Sequence, residues 1–143
     1  MSIRSRATFR LNGDELRPDE ISKILGLEPT SSGLKGERFS TRHNGVRRTS
    51  FWLLQSPLDA SQSLEEHLEW LLDRLEPKTD SIKSLVEKWY GDFFCGLFSE
   101  DLQGGATIEP GLLRRLAQMG IPLVLDLYPP EGPPKVDEEI PDS

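Results

Sequence analysis

The sequence has very few of the side chains on which catalytic and metal sites depend. Among 143 residues there is one cysteine, Cys95, and there are two histidines, His43 and His67. A single cysteine excludes an internal disulfide and a zinc site built from several cysteines. The zinc signature of two histidines with an intervening glutamate on one helix is also absent. We therefore expect no metal site, no cofactor and no catalytic residue.

Long apolar segments are missing as well. No apolar run approaches the roughly 18–20 residues that a membrane-spanning helix needs. Residues 1–6 contain two arginines with no apolar stretch behind them, which is not typical of a secretory signal. We therefore expect no membrane contact and a cytoplasmic location. Because 36% of the residues are hydrophobic and 29% are charged, the composition is that of a folded globular domain.

Basic residues are outnumbered by acidic ones overall but are concentrated near the start of the chain. The formal net charge is −7, which disfavours nucleic acid and anionic membranes as partners because both attract basic surfaces. Residues 1–50 nevertheless carry ten Lys or Arg and six Asp or Glu, whereas residues 51–143 carry seven and eighteen. This asymmetry directs the search for an anionic partner to the first third of the chain.

Hydrophobic periodicity and turn residues predict an α+β fold. Strict alternation in residues 7–11 predicts a strand, and Pro18 and Gly26 delimit a helix. Ser63 and Glu66 form the pattern of a capping box at the start of a leucine-striped helix. The remaining predicted elements are a hairpin over 37–55, a helix from Asp80, a central strand over 93–98, a short strand over 106–108, a helix from Pro110 to Gly120 and a strand over 123–128.

The predicted order is β-α-β-β-α-α-β-β-α-β. It contains a ferredoxin-like β-α-β-β-α-β core with an extra helix and a C-terminal β-α-β extension. We expect a mainly antiparallel sheet packed by helices in one domain, residues 1–128. Residues 129–143 are rich in proline and acidic residues, so we expect a disordered tail there.

Short segments spread along the chain follow one another in a recognisable order: Phe9-Arg10-Leu11, Pro18 to Ile21, Leu25-Gly26, Pro29-Thr30, Lys35-Gly36-Glu37, Trp52, Glu65 to Leu68, Leu71-Leu72 and Leu116 to Tyr128. In this order they resemble the bacterial family known as domain of unknown function 4279. The resemblance implies an α+β fold and no assigned activity, cofactor or catalytic residue.

The predicted hairpin carries an unusual group of arginines. Asn44-Gly45 is typical of a two-residue type I′ turn, which would place Arg42 directly opposite Arg47. Like charges in that position are unfavourable, so a ligand could compensate for them. The candidate binding residues for an anionic ligand or partner are Glu37, Arg38, Arg42, Arg47 and Arg48. The alternative is that acidic side chains elsewhere neutralise the group or that it projects into solvent.

Neither remaining chemical candidate predicts catalysis. Cys95 lies among phenylalanines, so we expect a buried thiol with a raised pKa. His67 lies at the edge of the leucine stripe, where we expect its ring to pack against the helix.

Three functions remain open. The first is a non-catalytic domain that binds a protein partner, with an immunity-type protein that masks a toxin as one form of it. The second is a small enzyme or sensor that binds an anionic metabolite through the arginine-rich hairpin. The third is single-stranded nucleic-acid binding on the sheet. It needs exposed aromatic residues, whereas we expect Phe93, Phe94 and Phe98 to be covered by helices.

Overall fold

The computed structural model describes residues 3–40, 43–101 and 104–130. Seven strands and four α-helices are assigned there. The strands are β1 (Ile3–Gly13), β2 (Ser31–Gly33), β3 (Arg38–Ser40), β4 (His43–Val46), β5 (Ser50–Gln55), β6 (Tyr90–Ser99) and β7 (Leu123–Tyr128). The helices are α1 (Pro18–Leu25), α2 (Leu64–Leu75), α3 (Thr79–Lys88) and α4 (Pro110–Met119).

Five strands form one mixed sheet in the order β2-β5-β1-β6-β7. The β2–β5, β5–β1 and β1–β6 pairs are antiparallel, and only β6–β7 is parallel. The predicted α+β fold with a mainly antiparallel sheet is therefore confirmed. Strands β3 and β4 form a separate two-stranded ribbon.

Several element predictions are confirmed, and their local causes are visible. Gly26 and Gly120 follow α1 and α4 with φ values of 66° and 71°, the left-handed conformation in which glycine ends a helix at little cost. Ser63 and Glu66 form the predicted capping box at the start of α2. The strand predicted around Phe93 is β6, which lies between β1 and β7.

Two element predictions are wrong, and one strand was not predicted. Residues 106–108 form no strand, and the short β2 was not predicted. The second strand of the hairpin does not run unbroken to Gln55, because residues 47–49 separate β4 from β5. Of the predicted tail, only Pro129 and Pro130 lie within the described residues.

The core lies on one side of the sheet. Odd-numbered residues of β1, such as Ala7, Phe9 and Leu11, are fully buried, whereas Arg4 and Arg6 are exposed. The buried residues of all four helices belong to the same core cluster as these odd-numbered residues. All four helices therefore cover one face, and none of the described helices covers the other, which we call the helix-free face.

Candidate functional site

The arginine-rich hairpin differs from its prediction. Ser40 pairs with His43 and Arg38 with Val46, so Asn44 and Gly45 lie within strand β4. The predicted turn at Asn44-Gly45 is therefore wrong.

The turn before the ribbon explains the different register. The amide of Gly36, whose φ is 92°, donates to the Arg47 carbonyl, and the Arg47 amide donates to the Glu37 carbonyl at 2.7 Å. The Glu37 carboxylate in turn accepts a hydrogen bond from the Leu34 amide. These bonds place Arg47 opposite Glu37, so the predicted register of Arg42 against Arg47 is also wrong.

The predicted binding residues have separate surroundings. The guanidinium of Arg47 lies 4.7 Å from the centre of the Phe51 ring, on the helix-free face, and Arg48 is exposed. Arg42 and the side chain of Arg38 lie outside the described residues. Among the described side chains of the predicted set, that of Glu37 lines a large cavity.

That cavity has the wrong charge for an anion. It has a volume of about 950 Å³ and lies beside the start of α1. Its charged lining consists of five carboxylates and two cations: Asp14, Glu15, Asp19, Glu28, Glu37, Arg17 and Lys35. Because carboxylates predominate, this cavity does not suit the anionic metabolite predicted for the hairpin.

The helix-free face instead brings arginines and aromatic rings together. Even-numbered residues of β1 point to this face, since strand side chains alternate. The register sets Arg4 opposite Phe98 and Thr8 opposite Phe94 on β6. Phe94 and Phe98 are half-buried here, whereas Phe93 points into the core and is fully buried. The prediction that helices cover all three rings is therefore wrong for Phe94 and Phe98.

Guanidinium groups lie over several of these rings. The Arg10 guanidinium is 4.1 Å from the centre of the Phe94 ring, and the Arg6 guanidinium is 5.7 Å from that of Phe98. The ring of Phe98 also stacks on Tyr128, with centres 4.5 Å apart and planes inclined by 9°. Cation–π contacts and ring stacking restrict these side chains, so the arrangement of the face is largely fixed within the domain itself.

A buried carboxylate anchors the centre of this face. Asp92, whose side chain is fully buried, accepts hydrogen bonds from the Arg10 guanidinium at 2.7 and 2.6 Å and from the Tyr90 hydroxyl at 3.0 Å. The hydrogen bonds to Asp92 raise the pKa of Arg10 and that of Tyr90. A hydrogen bond to Asp126 likewise raises the pKa of Tyr128. Asp92 is thus paired with a cation, while Arg4 and Arg6 remain exposed.

Sequence reasoning missed this face although one signal was present. Arginine recurs at Arg4, Arg6 and Arg10, which are even-numbered positions of the alternating strand. Their period of two already placed them on one face. That this face is uncovered, and that aromatic residues of β6 lie beside them, depends on the strand order.

The predictions for the two chemical candidates are confirmed. Cys95 is buried, and this burial raises the pKa of its thiol to about 12. The ring of His67 packs inside the domain at 1% exposure, with Nδ1 2.9 Å from Ser56 Oγ. Burial lowers the pKa of His67, and its Nε2 atom has no hydrogen-bond partner among the described residues.

Neither a cluster of metal-ligating side chains nor a membrane-spanning helix is found in the described part of the chain. Within residues 3–40, 43–101 and 104–130, no three His, Cys, Asp or Glu side chains are grouped so that they could hold a metal ion. In the same ranges, no helix combines the length and the apolar character needed to cross a membrane.

Comparison with known proteins assigns a family. No curated protein and no solved structure matches the chain. A family model described as a domain of unknown function, DUF4279, matches residues 2–130, which is most of the chain. This protein therefore belongs to the DUF4279 family of domains of unknown function.

Proposed function

We propose that this chain is a non-catalytic binding domain that docks a protein partner on its helix-free sheet face. The observation that carries the proposal is the combination of exposed Arg4 and Arg6 with the stacked rings of Phe98 and Tyr128 on this face. An immunity-type protein, which masks a toxin, is one form of such a domain.

The composition of the face supports protein binding. Arginine and aromatic residues supply a large share of the energy at protein interfaces, whereas lysine and glutamate are depleted there. Tyr128 is 43% exposed and rests on Phe98, so it presents a rigid aromatic surface. Ordering such a side chain on binding costs little entropy, because the stack already restricts it.

The charge of the face indicates what the partner presents. Arg10 pairs with Asp92, so the charges that β1, β6 and β7 leave on this face are those of Arg4, Arg6 and Asp126, which together remain positive. The chain as a whole carries −7, which makes this positive face an exception on its surface. A partner with exposed carboxylates beside an apolar patch is complementary to it, and such complementarity also raises the association rate.

Single-stranded nucleic acid is the second candidate, and the half-buried Phe94 and Phe98 on an uncovered face favour it. Two observations rank it lower. The Arg10 guanidinium already lies over Phe94, and Tyr128 already lies on Phe98, so bases have less ring surface on which to stack. The net charge of −7 also opposes a polyanion.

We also infer that the strands β2-β5-β1-β6 with α1 and α2–α3 form a ferredoxin-like unit, to which α4 and β7 are added. Two features support this. Each neighbouring pair in this four-strand portion is antiparallel, and β1 lies between β5 and β6. Solving the structure by crystallography and comparing its connection handedness with that of known ferredoxin-like domains tests the assignment.

A charge-reversal pair tests the binding proposal. In the double variant Arg4→Glu, Arg6→Glu, the face becomes acidic, so we expect at least a tenfold loss of affinity for a partner identified by affinity capture and then titrated in purified form. The matched control is Lys83→Glu, Arg114→Glu, which makes the same charge change at exposed positions of α3 and α4. We expect this control to keep the affinity of the unchanged chain.

Nucleic acid is tested in parallel with fluorescently labelled single-stranded homopolymers, followed by anisotropy. Salt-dependent binding that is lost in Phe98→Ala would favour the second candidate over the first. A partner that binds the face variant and the unchanged chain equally well would refute docking on the helix-free face. Circular dichroism of each variant shows whether it is folded.

A further inference from the structure

We propose that two copies of this chain pair through strand β7. In this arrangement the two β7 strands run antiparallel across a two-fold axis at Leu125, and the two sheets become one. The inference concerns an edge of the sheet rather than its helix-free face, so it goes beyond the proposed function and does not depend on it.

The backbone of β7 leaves one side available. Its neighbour in the sheet is β6, and none of the described strands lies on its other side. The Phe93 amide donates to the Pro122 carbonyl at 2.9 Å, so the even-numbered residues of this segment face β6. Leu123, Leu125 and Leu127 consequently direct their N–H and C=O groups to the open edge.

Prolines limit the length of this edge. Pro122 precedes β7, and Pro129, the next odd-numbered residue after Leu127, has no N–H to donate. The outward donors of the strand are therefore the amides of the three leucines, with Leu125 at their centre. An antiparallel copy centred on Leu125 pairs each of these amides with a carbonyl, because Leu125 faces itself and Leu123 faces Leu127.

The side chains suit the same register. In this register the residue numbers of two opposite residues sum to 250. Val124 therefore faces Asp126 of the second copy, and the Asp126 carboxylates of the two copies are not directly opposed. The strand carries a single charged residue and no lysine, the residue with which many edge strands avoid pairing. Such an edge is open to another strand unless something else covers it.

Apolar surface supplies the driving force. Leu123, Leu125 and Leu127 are 36%, 53% and 68% exposed, although they point to the same side as the core. They line a cavity of about 470 Å³ together with Leu97 and Ile108. In the paired arrangement the leucines of the two copies meet across the axis and are withdrawn from water.

Charge favours a second copy of the chain, rather than residues 131–143 of the same chain, as the partner of β7. Residues 131–143 carry five acidic residues and one lysine. The charged side chain in the described lining of the cavity is Asp101, which repels such a segment. A second β7 brings leucines to the axis and no directly opposed charge.

The test measures oligomeric state with the full chain. Sedimentation velocity over a range of concentrations should show the mass of the unchanged protein rising to twice that of one chain. The variant Leu125→Lys places two ammonium groups opposite each other at the axis, so it should stay monomeric. Leu113→Lys is the matched control, since Leu113 is a leucine of α4 with 49% exposure, and it should dimerise like the unchanged chain.

A second variant probes the backbone separately. Leu125→Pro removes an outward N–H that the β6–β7 pair does not use, and proline is tolerated at such edge positions. We expect it to fold, as judged by circular dichroism, and to lose the dimer. The proposal would be overturned by a full chain that is monomeric at every concentration, or by Leu125→Lys and Leu113→Lys variants that dimerise equally. It would also be overturned if the Leu125 amide were protected from hydrogen exchange in a monomer, because another segment of the chain would then pair with this edge.

Discussion

The carboxylate of Asp92 holds two side chains of the helix-free face in place. It is fully buried and accepts three hydrogen bonds from Arg10 and Tyr90. A carboxylate can be buried in such a place because a charged donor and a hydroxyl replace the water it has lost. Arg10 is thereby held over Phe94, so one residue joins the stability of the domain to the shape of its proposed binding face.

Removing the partner of this carboxylate should be costly. In Arg10→Ala the buried Asp92 loses both charged hydrogen bonds, and we expect the free energy of unfolding to fall by about 1–3 kcal/mol. Urea denaturation followed by circular dichroism measures it. Tyr90→Phe removes one hydrogen bond to the same carboxylate and should cost less, about 1 kcal/mol. Equal losses in the two variants would contradict the central role of Arg10.

At the scale of elements, the ends of α1 and α4 have a common design that the sequence shows directly. Proline starts each helix, and a glycine in the left-handed conformation ends it. The amide of Gly26 donates to the Ser22 carbonyl at 2.8 Å, which closes the last turn of α1. The conformation of the glycine, rather than any contact of a side chain, therefore determines where the helix stops.

Two Gly→Ala substitutions should have opposite signs for this reason. Gly26→Ala forces a Cβ atom into a φ of 66°, so we expect a loss of about 1–2 kcal/mol although no atom lies within 4 Å of that Cβ. Gly111 lies in the first turn of α4, where a Cβ also meets open space. Gly111→Ala should stabilise the protein by about 0.4–1 kcal/mol, because it restricts the unfolded chain. Thermal unfolding of both variants checks the signs; a loss in Gly111→Ala would refute the explanation.

At the scale of the whole molecule, helices cover one face of the sheet, none of the described helices covers the other, and the two edges of the sheet differ. All four helices contribute to one core, while arginines and aromatic rings occupy the opposite side. In the proposed dimer, Tyr128 and its stack with Phe98 lie beside the axis, so the helix-free faces of two copies would adjoin. A partner could then contact both copies at once.

The stability of the whole domain should depend on pH through His67. Burial lowers the pKa of this ring in the folded state, so the unfolded chain takes up a proton first as the pH falls. The stabilising contribution of neutral His67 is therefore present above the unfolded pKa of about 6.5 and is lost as the pH falls below it. Urea denaturation between neutral and mildly acidic pH should show a shallower loss for His67→Gln than for the unchanged chain. Both proteins have the same carboxylates, so a difference between them in how steeply stability falls with pH is due to the histidine. Parallel slopes of stability against pH would contradict the role of His67.

Local rules made part of this protein predictable. The glycine and proline signals at α1 and α4, the capping box at Ser63 and the alternation in β1 depend on residues a few positions apart, so the sequence reveals them without knowledge of the fold. The burial of Cys95 follows in the same way from its apolar neighbours. The predicted register of the arginine hairpin was wrong because the turn at Leu34 to Glu37 positions Arg47, whereas the prediction assumed a turn at Asn44-Gly45.

By itself the sequence determined the helices, most of the strands, the charge asymmetry and the α+β class, because propensity, capping and periodicity act over short distances. Only the tertiary structure decided which face of the sheet stays uncovered, that Arg6 and Arg10 lie beside Phe98 and Phe94, and that β7 is an edge. These features depend on the order of the strands, which brings together residues more than 80 positions apart. No local pattern encodes that order, because it results from burying all the apolar helix faces in a single core.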